Sequence, residues 1–160
     1  MARSGANSAG GAARRSKGDL VDAALAILDA QGLPDLTMRR IADELGVQPS
    51  ALYWHFPNKQ TLLAAVSERI LQPTAPPDPT MSWLEAATAI ASSLRPSLQR
   101  YRDRAELVSS SLAMGLIDPP AQRQLLELAI AHGMPPALAR VGSSTLTHFV
   151  LGHTFHVQQQ

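Results

Sequence analysis

The segment that most constrains the fold of this chain is residues 36–59, LTMRRIADELGVQPSALYWHFPNK, which contains two short helix signals separated by a glycine. Thr37 is a suitable N-cap, and Gly46 can adopt the left-handed conformation that ends a helix. Pro49 suits the first position of a second helix, because its missing N–H would have no partner there. The pattern predicts a helix-turn-helix with Val47 in the turn and an apolar stripe on the first helix, formed by Ile41, Ala42 and Leu45.

The second helix, predicted over residues 49–55, carries an aromatic cluster. Three of the chain's seven aromatic residues occur within four positions: Tyr53, Trp54 and Phe56. At about 1.5 Å per residue the helix is roughly 10 Å long, which suits a major groove about 12 Å wide. A helix this short contacts few base pairs. We therefore expect two copies of the protein to bind DNA together. A two-fold dimer would read a palindromic duplex whose half-sites lie about 34–36 Å apart, or a multiple of that distance.

Helical periodicity extends over most of the remaining chain. It predicts a first helix over residues 16–31 and a fourth that begins after the N-cap Asn58 and ends before Pro73. Residues 73–79 contain four prolines and are predicted to be a linker. Further helices are predicted over residues 81–100, 102–112, 119–131 and 135–157, and Pro96 should kink the first of these or end it early. No segment alternates with period two, so the predicted fold is all-α.

Composition excludes several classes of protein. The chain has 160 residues, is 45% hydrophobic and contains no cysteine, which rules out disulfides and thiolate chemistry. No apolar run approaches the ~20 residues needed to span a bilayer, so we expect a cytoplasmic protein with no membrane partner. It also lacks the nucleotide-binding glycine motifs, an H-E-x-x-H zinc motif and a distinctive carboxylate pair, so we expect no enzyme and no cofactor.

The formal net charge is only +1, but the basic residues are unevenly placed. Arg3, Arg14, Arg15 and Lys17 precede any acidic residue, in a segment rich in Gly, Ala and Ser. Such a composition has too few large apolar side chains to form a core. Residues 1–15 are therefore predicted to be a flexible basic tail, which either assists DNA binding or is a solubilising leader.

The segment 36–59 resembles the DNA-binding region of TetR (tetracycline repressor) family transcriptional regulators. LYWH at residues 52–55 is most similar to the tetracycline repressor subgroup. A weaker resemblance continues at residues 82–83, 102–103 and 148–152. The matching positions in the motif are Thr37, Arg39, Ile41, Ala42, Leu45, Gly46, Val47, Leu52, Tyr53, His55, Phe56, Asn58, Lys59, Leu62 and Leu63.

The resemblance implies a repressor that binds a palindromic double-stranded DNA operator as a homodimer and is released by a small-molecule effector. The implied fold is a three-helix helix-turn-helix domain within residues 16–72, followed by a helical effector-binding and dimerisation domain over residues 80–160. Similar regulators carry further helices that complete the dimer. Either such helices follow Gln160 or fewer helices form the interface; the apolar circumference of the last two helices favours the first possibility.

The resemblance also implies which residues face DNA. Arg39 and the second helix would face the groove, while Thr37 and Lys59 would meet phosphates. Some of these residues have plainer structural roles, since Thr37 is also a cap, and Leu52 and Phe56 are expected in the core. Arg39 is preferred over Arg40, because adjacent helical residues point about 100° apart. The predicted DNA-binding residues are Thr37, Arg39, Gln48, Pro49, Ser50, Ala51, Tyr53, Trp54, His55 and Lys59.

An effector pocket between helices should be mainly apolar with a few polar groups, which suits an apolar or amphipathic effector. The same residues could equally be plain core. Val108 stands where a metal-ligating histidine would be expected for tetracycline binding, and the pair His153 and His156 is better explained without a metal, so no metal site is predicted. The candidate effector-binding residues are Ile90, Leu94, Val108, Ser111, Leu112, Leu125, Leu138 and His148.

The remaining functional alternative is an architectural or interaction protein that binds DNA without sequence preference. Binding to a discrete palindromic site would distinguish the regulator from this alternative, because an architectural protein would bind any duplex with similar affinity.

Overall fold

The computed structural model describes residues 15–73, 75–100 and 102–158, and these form helices joined by short connections, with no strand in the described ranges. The all-α prediction is therefore confirmed. The described helices are α1 (Lys17–Gln31), α2 (Met38–Leu45), α3 (Pro49–Tyr53), α4 (Lys59–Ile70), α5 (Trp83–Gln99), α6 (Arg102–Ala113), α7 (Pro120–Ala131) and α8 (Pro136–Gln158).

The helix ends lie where capping chemistry places them. The Thr37 hydroxyl accepts a hydrogen bond from the Arg40 N–H at 3.1 Å, and Gly46 is left-handed with φ of 65°. Asn58 Oδ1 accepts from the N–H of Thr61 at 2.9 Å. Each contact satisfies backbone groups that a helix end leaves without partners. The predicted caps at Thr37, Gly46 and Asn58 are thereby confirmed.

One predicted helix end was wrong, and one of the two effects expected of Pro96 is excluded. α3 ends at Tyr53 and not at residue 55, although Trp54 stays in the right-handed helical region as the C-cap. α5 continues through Pro96 to Gln99, next to the predicted end at residue 100, so of the kink or early end expected at this proline the early end is excluded. The backbone remains helical beyond the proline, since the Arg100 N–H donates to the Pro96 carbonyl at 3.1 Å.

The helices form two groups that pack against each other. α1 to α4 make the N-terminal group, and α5 to α8 make the helical body. α4 packs on α6 of the body, and α1 also contacts α6. One continuous apolar core runs through both groups, from Leu20 and Ile41 to Leu94 and Leu125. The N-terminal group therefore packs on the helical body through α4 and α1.

The Trp83 indole of α5 lies close to the backbone of α8. A Cβ at Gly142 would approach Trp83 Cζ2 at 3.3 Å, so the glycine makes room for the ring. In the described part of the chain, no helix is both long and apolar enough to cross a membrane.

Candidate nucleic-acid interface and effector site

The short helix α3 has one buried side and one exposed side. Leu52 is fully buried and Phe56 is 4% exposed, which confirms both as core residues. By contrast, Tyr53 is 50% exposed and Trp54 is 89% exposed. A tryptophan this exposed gives up most of the free energy available from burying its ring. Leu52 of α3 and Phe56 just beyond it therefore anchor this region, while Tyr53 and the C-cap residue Trp54 face solvent.

The other predicted DNA-contacting residues of this region are also accessible. Gln48 caps α3 through its backbone and makes no capping bond with its side chain. We call residues 48–55 the recognition segment. Within and beside it, the exposed residues are Thr37, Arg39, Gln48, Ser50, Ala51, Tyr53 and Trp54, and the half-buried ones are Pro49, His55 and Lys59.

The N-terminus of α2 adds basic side chains near the recognition segment. Thr37, Arg39 and Arg40 line an open depression of about 250 Å³, whose rim also holds Asp35 and Asp43. Both arginines are exposed, so burial does not distinguish Arg39 from Arg40 as the residue that faces DNA. Their position beside the N-terminal N–H groups of α2 suits contact with a phosphate.

Two basic residues at the start of α1 also lie beside the helix-turn-helix. Arg15 Nη2 donates to the Leu45 carbonyl oxygen at 3.3 Å, and Lys17 Nζ lies 5.4 Å from the centre of the Phe56 ring. These contacts bring the described end of the basic segment to the end of α2 and to Phe56, the residue that follows the recognition segment. Arg3 and Arg14 lie outside the described residues.

The candidate effector-binding residues fall into two sets. Ile90, Leu94, Val108, Ser111 and Leu125 are buried inside the body, and Leu112 is half-buried. Leu138 and His148 are exposed on α8 and do not join them. The helical phase explains this difference, since α8 turns Ala139, Ser143 and Thr147 inward. A pocket inside one chain would therefore exclude Leu138 and His148.

Apart from Ser111, the buried polar groups described next were not predicted from the sequence as site residues. Ser67 of α4 and Ser111 of α6 share a buried hydrogen bond. Trp83 Nε1 and Gln124 Oε1 are buried and have no hydrogen-bond partner within the described residues. Buried polar groups are nearly always paired, so each of these two atoms could bond to a molecule that reaches it. The family resemblance at residues 82–83 was the only sequence signal for Trp83.

The histidines of α8 are engaged in local contacts. The rings of Phe149 and His153 stack with centroids 6.0 Å apart. His148 Nδ1 lies 2.8 Å from the Ser144 carbonyl oxygen. Among the described residues there is no group of three or more histidine, cysteine, aspartate or glutamate side chains that could hold a metal ion.

Two family models match this chain and together span most of it. Residues 20–66 match the model described as bacterial regulatory proteins, tetR family. Residues 75–160 match the model of the tetracyclin repressor-like C-terminal domain. The first match includes the helix-turn-helix and the recognition segment, and the second includes the helical body.

Individual relatives agree with these matches. The tetracycline repressor protein class E of Escherichia coli is 36% identical over 149 residues, which cover 91% of this chain and 70% of that protein. The crystal structure of BioQ with its double-stranded DNA operator is 41% identical, with a TM-score of 0.74, and the match covers 91% of this chain and 87% of that one. The crystal structure of a TetR variant from Acinetobacter baumannii in complex with minocycline is 31% identical, with a TM-score of 0.74 and coverage of 91% of this chain and 72% of that one.

Proposed function

This chain belongs to the tetR family of bacterial regulatory proteins, and we propose that it is a repressor that binds a palindromic DNA operator as a dimer and is released by a small molecule. The observation that carries the proposal is the exposure of Tyr53 and Trp54 on a helix anchored by buried Leu52. Aromatic rings held exposed on a helix leave apolar surface in water, which is unfavourable unless a partner covers it. The proposed partner is duplex DNA, as in the similar BioQ structure with its operator.

In the proposed complex the recognition segment enters the major groove. Ser50 and Gln48 offer polar groups to base edges, while Ala51 and Pro49 can contact thymine methyl groups. Lys59 and Thr37, at the N-termini of α4 and α2, meet phosphates that fix the register of the protein on the duplex. The proposed DNA-contacting set remains the ten residues named from the sequence, and Arg15 and Lys17 are added as flanking phosphate contacts.

The proposed dimer uses the outward face of α8. At about 100° per residue, Leu138, Val141 and Phe149 fall within an arc of about 80° on one side of the helix. They are 58%, 63% and 67% exposed, respectively. A single chain thus leaves large apolar side chains in water along this helix, and a second copy would cover them. Pairing two copies would also bring two recognition segments to one palindrome.

The experiment that tests DNA recognition starts from a pool of random duplexes several helical turns long. Duplexes retained by the protein are enriched and sequenced, and their affinity is measured by fluorescence anisotropy against a scrambled duplex of equal composition. We expect a palindrome bound about 10³-fold or more tightly than the scrambled duplex at physiological salt. Equal affinity for both duplexes would reject the repressor and favour the architectural alternative.

The proposed effector enters the helical body between α5, α6 and α7. Buried apolar residues there, such as Ile90 and Leu125, would contact its apolar part, while Trp83 Nε1 and Gln124 Oε1 would gain partners. An apolar or amphipathic molecule with one hydrogen-bond acceptor and one donor fits this arrangement. Such a ligand shifts DNA affinity only if it prefers one arrangement of the recognition segments over another.

Trp83 provides the readout for effector binding. The chain has two tryptophans, so Trp54→Phe leaves Trp83 as the single indole fluorophore. Minocycline is the first probe, because a similar repressor has been crystallised with it. We expect an effector to change Trp83 fluorescence and to release wild-type protein from the enriched duplex, and Gln124→Leu to weaken both effects. A compound that releases the protein without changing Trp83 fluorescence would contradict this location.

A further inference from the structure

Two consecutive residues at the start of α6 bind the end of α1. Arg104 donates from Nε to Asp29 Oδ1 at 2.7 Å, and its Nη2 donates to Asp29 Oδ2. Asp103 Oδ2 accepts the Leu33 N–H at 2.7 Å, just beyond α1. The two side chains thus join the helical body to the N-terminal group at a place separate from the α4–α6 packing. We call Asp29, Leu33, Asp103 and Arg104 the α1–α6 latch.

The geometry of the latch is directional. A bidentate arginine–carboxylate pair fixes both distance and orientation, which a single ammonium cannot do. Arg104 Nη1 also donates to the Ser97 carbonyl oxygen at 3.0 Å, so the guanidinium is held by α5 while it holds α1. The Arg104 side chain is 10% exposed and that of Asp29 is 18% exposed. The pair is therefore little screened by solvent, unlike the exposed Asp118–Arg123 pair.

The backbone beside the latch is shaped to accept it. Gly32 has φ of +90°, and a Cβ there would come within 2.7 Å of Asp103 Oδ2. The glycine leaves the space that the carboxylate needs to reach the Leu33 N–H. Open depressions of about 420 Å³ and 380 Å³ lie beside Arg104 and Asp103, respectively. Arg104 and Asp103 therefore each border an open depression of the surface.

We propose that the α1–α6 latch sets the orientation of the N-terminal group on the helical body, so that Asp29, Asp103 and Arg104 are positioning residues for DNA binding. The proposal rests on the proposed function for its DNA consequence, but the orientation itself can be measured without DNA. Opening the latch frees α1, and with it α2 and the recognition segment, to tilt relative to the body. In a dimer, that tilt changes the separation of two recognition segments that must fit one palindrome.

The test measures the distance between the two helix groups in the full chain. Because the chain has no cysteine, Glu44→Cys in α2 and Glu127→Cys in α7 provide two unique spin-label sites. Labelled chains are diluted with unlabelled chain of the same sequence, so that the distances reported lie within one chain. We expect a narrow distance distribution in the parent and a shifted or broadened one in Arg104→Ala. Arg104→Lys should give an intermediate distance distribution, since lysine keeps the positive charge but cannot make the two parallel hydrogen bonds to the carboxylate.

A second variant separates positioning from stability. Arg104→Ala leaves the Asp29 carboxylate without its partner and could destabilise the fold. The double variant Asp29→Asn with Arg104→Gln removes both charges together, so it should melt close to the parent while still changing the distance distribution. Arg123→Ala, which breaks the ion pair with Asp118, is the matched control and should change neither quantity.

DNA binding completes the test. For the double variant we expect a loss of about fivefold or more in affinity for the enriched duplex, the range typical of coupling between sites. Unchanged distance distributions in Arg104→Ala and in the double variant would overturn the latch. If the distances change but the parent itself binds no preferred duplex, the latch stands and the proposed repressor function fails.

Discussion

Ser67 of α4 and Ser111 of α6 are joined by a buried hydrogen bond, with their Oγ atoms 2.8 Å apart. Ser67 Oγ also donates to the Leu63 carbonyl oxygen at 2.9 Å, so Ser111 is the donor in the shared bond. A hydroxyl has one proton to donate, which leaves no other assignment. The interface between α4 and the body thus contains a specific polar contact within its apolar packing.

Replacing either serine should cost stability in a non-additive way. Ser111→Ala or Ser67→Ala is expected to lower the free energy of unfolding by about 1 kcal/mol, because each removes a buried bond. The double variant should cost less than the sum, since no hydroxyl is left without its partner. Urea denaturation of the four proteins measures the coupling. Strict additivity would show that the bond contributes nothing to stability.

Tyr53→Ala and Trp54→Ala should weaken DNA binding without unfolding the protein. Both side chains are exposed, so their removal leaves the core intact, while each loses about 1–3 kcal/mol of contact with the operator. Circular dichroism and anisotropy with the enriched duplex measure the two effects. Leu52→Ala, one position away and fully buried, should instead cost about 2–5 kcal/mol of stability. Wild-type operator affinity in both aromatic variants would mean that another surface meets DNA.

Lys59→Ala tests a phosphate contact, which differs from a base contact in its salt dependence. We expect a similar loss of affinity for the operator and for scrambled DNA, because phosphate carries no sequence information. The slope of log affinity against log salt concentration should become shallower by about 0.9 for each phosphate contact removed. A selective loss for the operator with an unchanged slope would assign Lys59 to base readout.

Ser82→Ala should change how the free energy of unfolding depends on pH in the acid range. Hydrogen bonds from the Ser82 hydroxyl and backbone N–H hold the pKa of Glu85 below its usual range. A carboxyl whose folded pKa is depressed contributes stability above its unfolded pKa of about 4.3, and that contribution is lost as the pH falls through the lower folded value. The variant loses the hydroxyl bond, so the pKa of Glu85 should rise toward its ordinary value. NMR titration of the Glu85 side chain measures the change, and Ser92→Ala, farther along α5, is the control.

Local chemistry made the helix-turn-helix predictable. Thr37, Gly46 and Asn58 act on their own helix ends, and Leu52 and Phe56 follow a helical period that needs no knowledge of distant residues. Family resemblance added the identity of the exposed aromatic pair. The predicted end of α3 was wrong by two residues, because local propensity fixes the last turn of a helix only weakly and Trp54 keeps a helical backbone there.

The contacts between the two helix groups could not be deduced in this way. Asp29 and Arg104 are 75 positions apart, and Ser67 and Ser111 are 44 apart, so no periodicity links them. Local patterns report which side of each helix is apolar, whereas the pairing of helices depends on how their surfaces fit in three dimensions. Side chains of this sequence therefore suffice to specify a DNA-reading module, but its attachment to the body through the α1–α6 latch emerges only from packing.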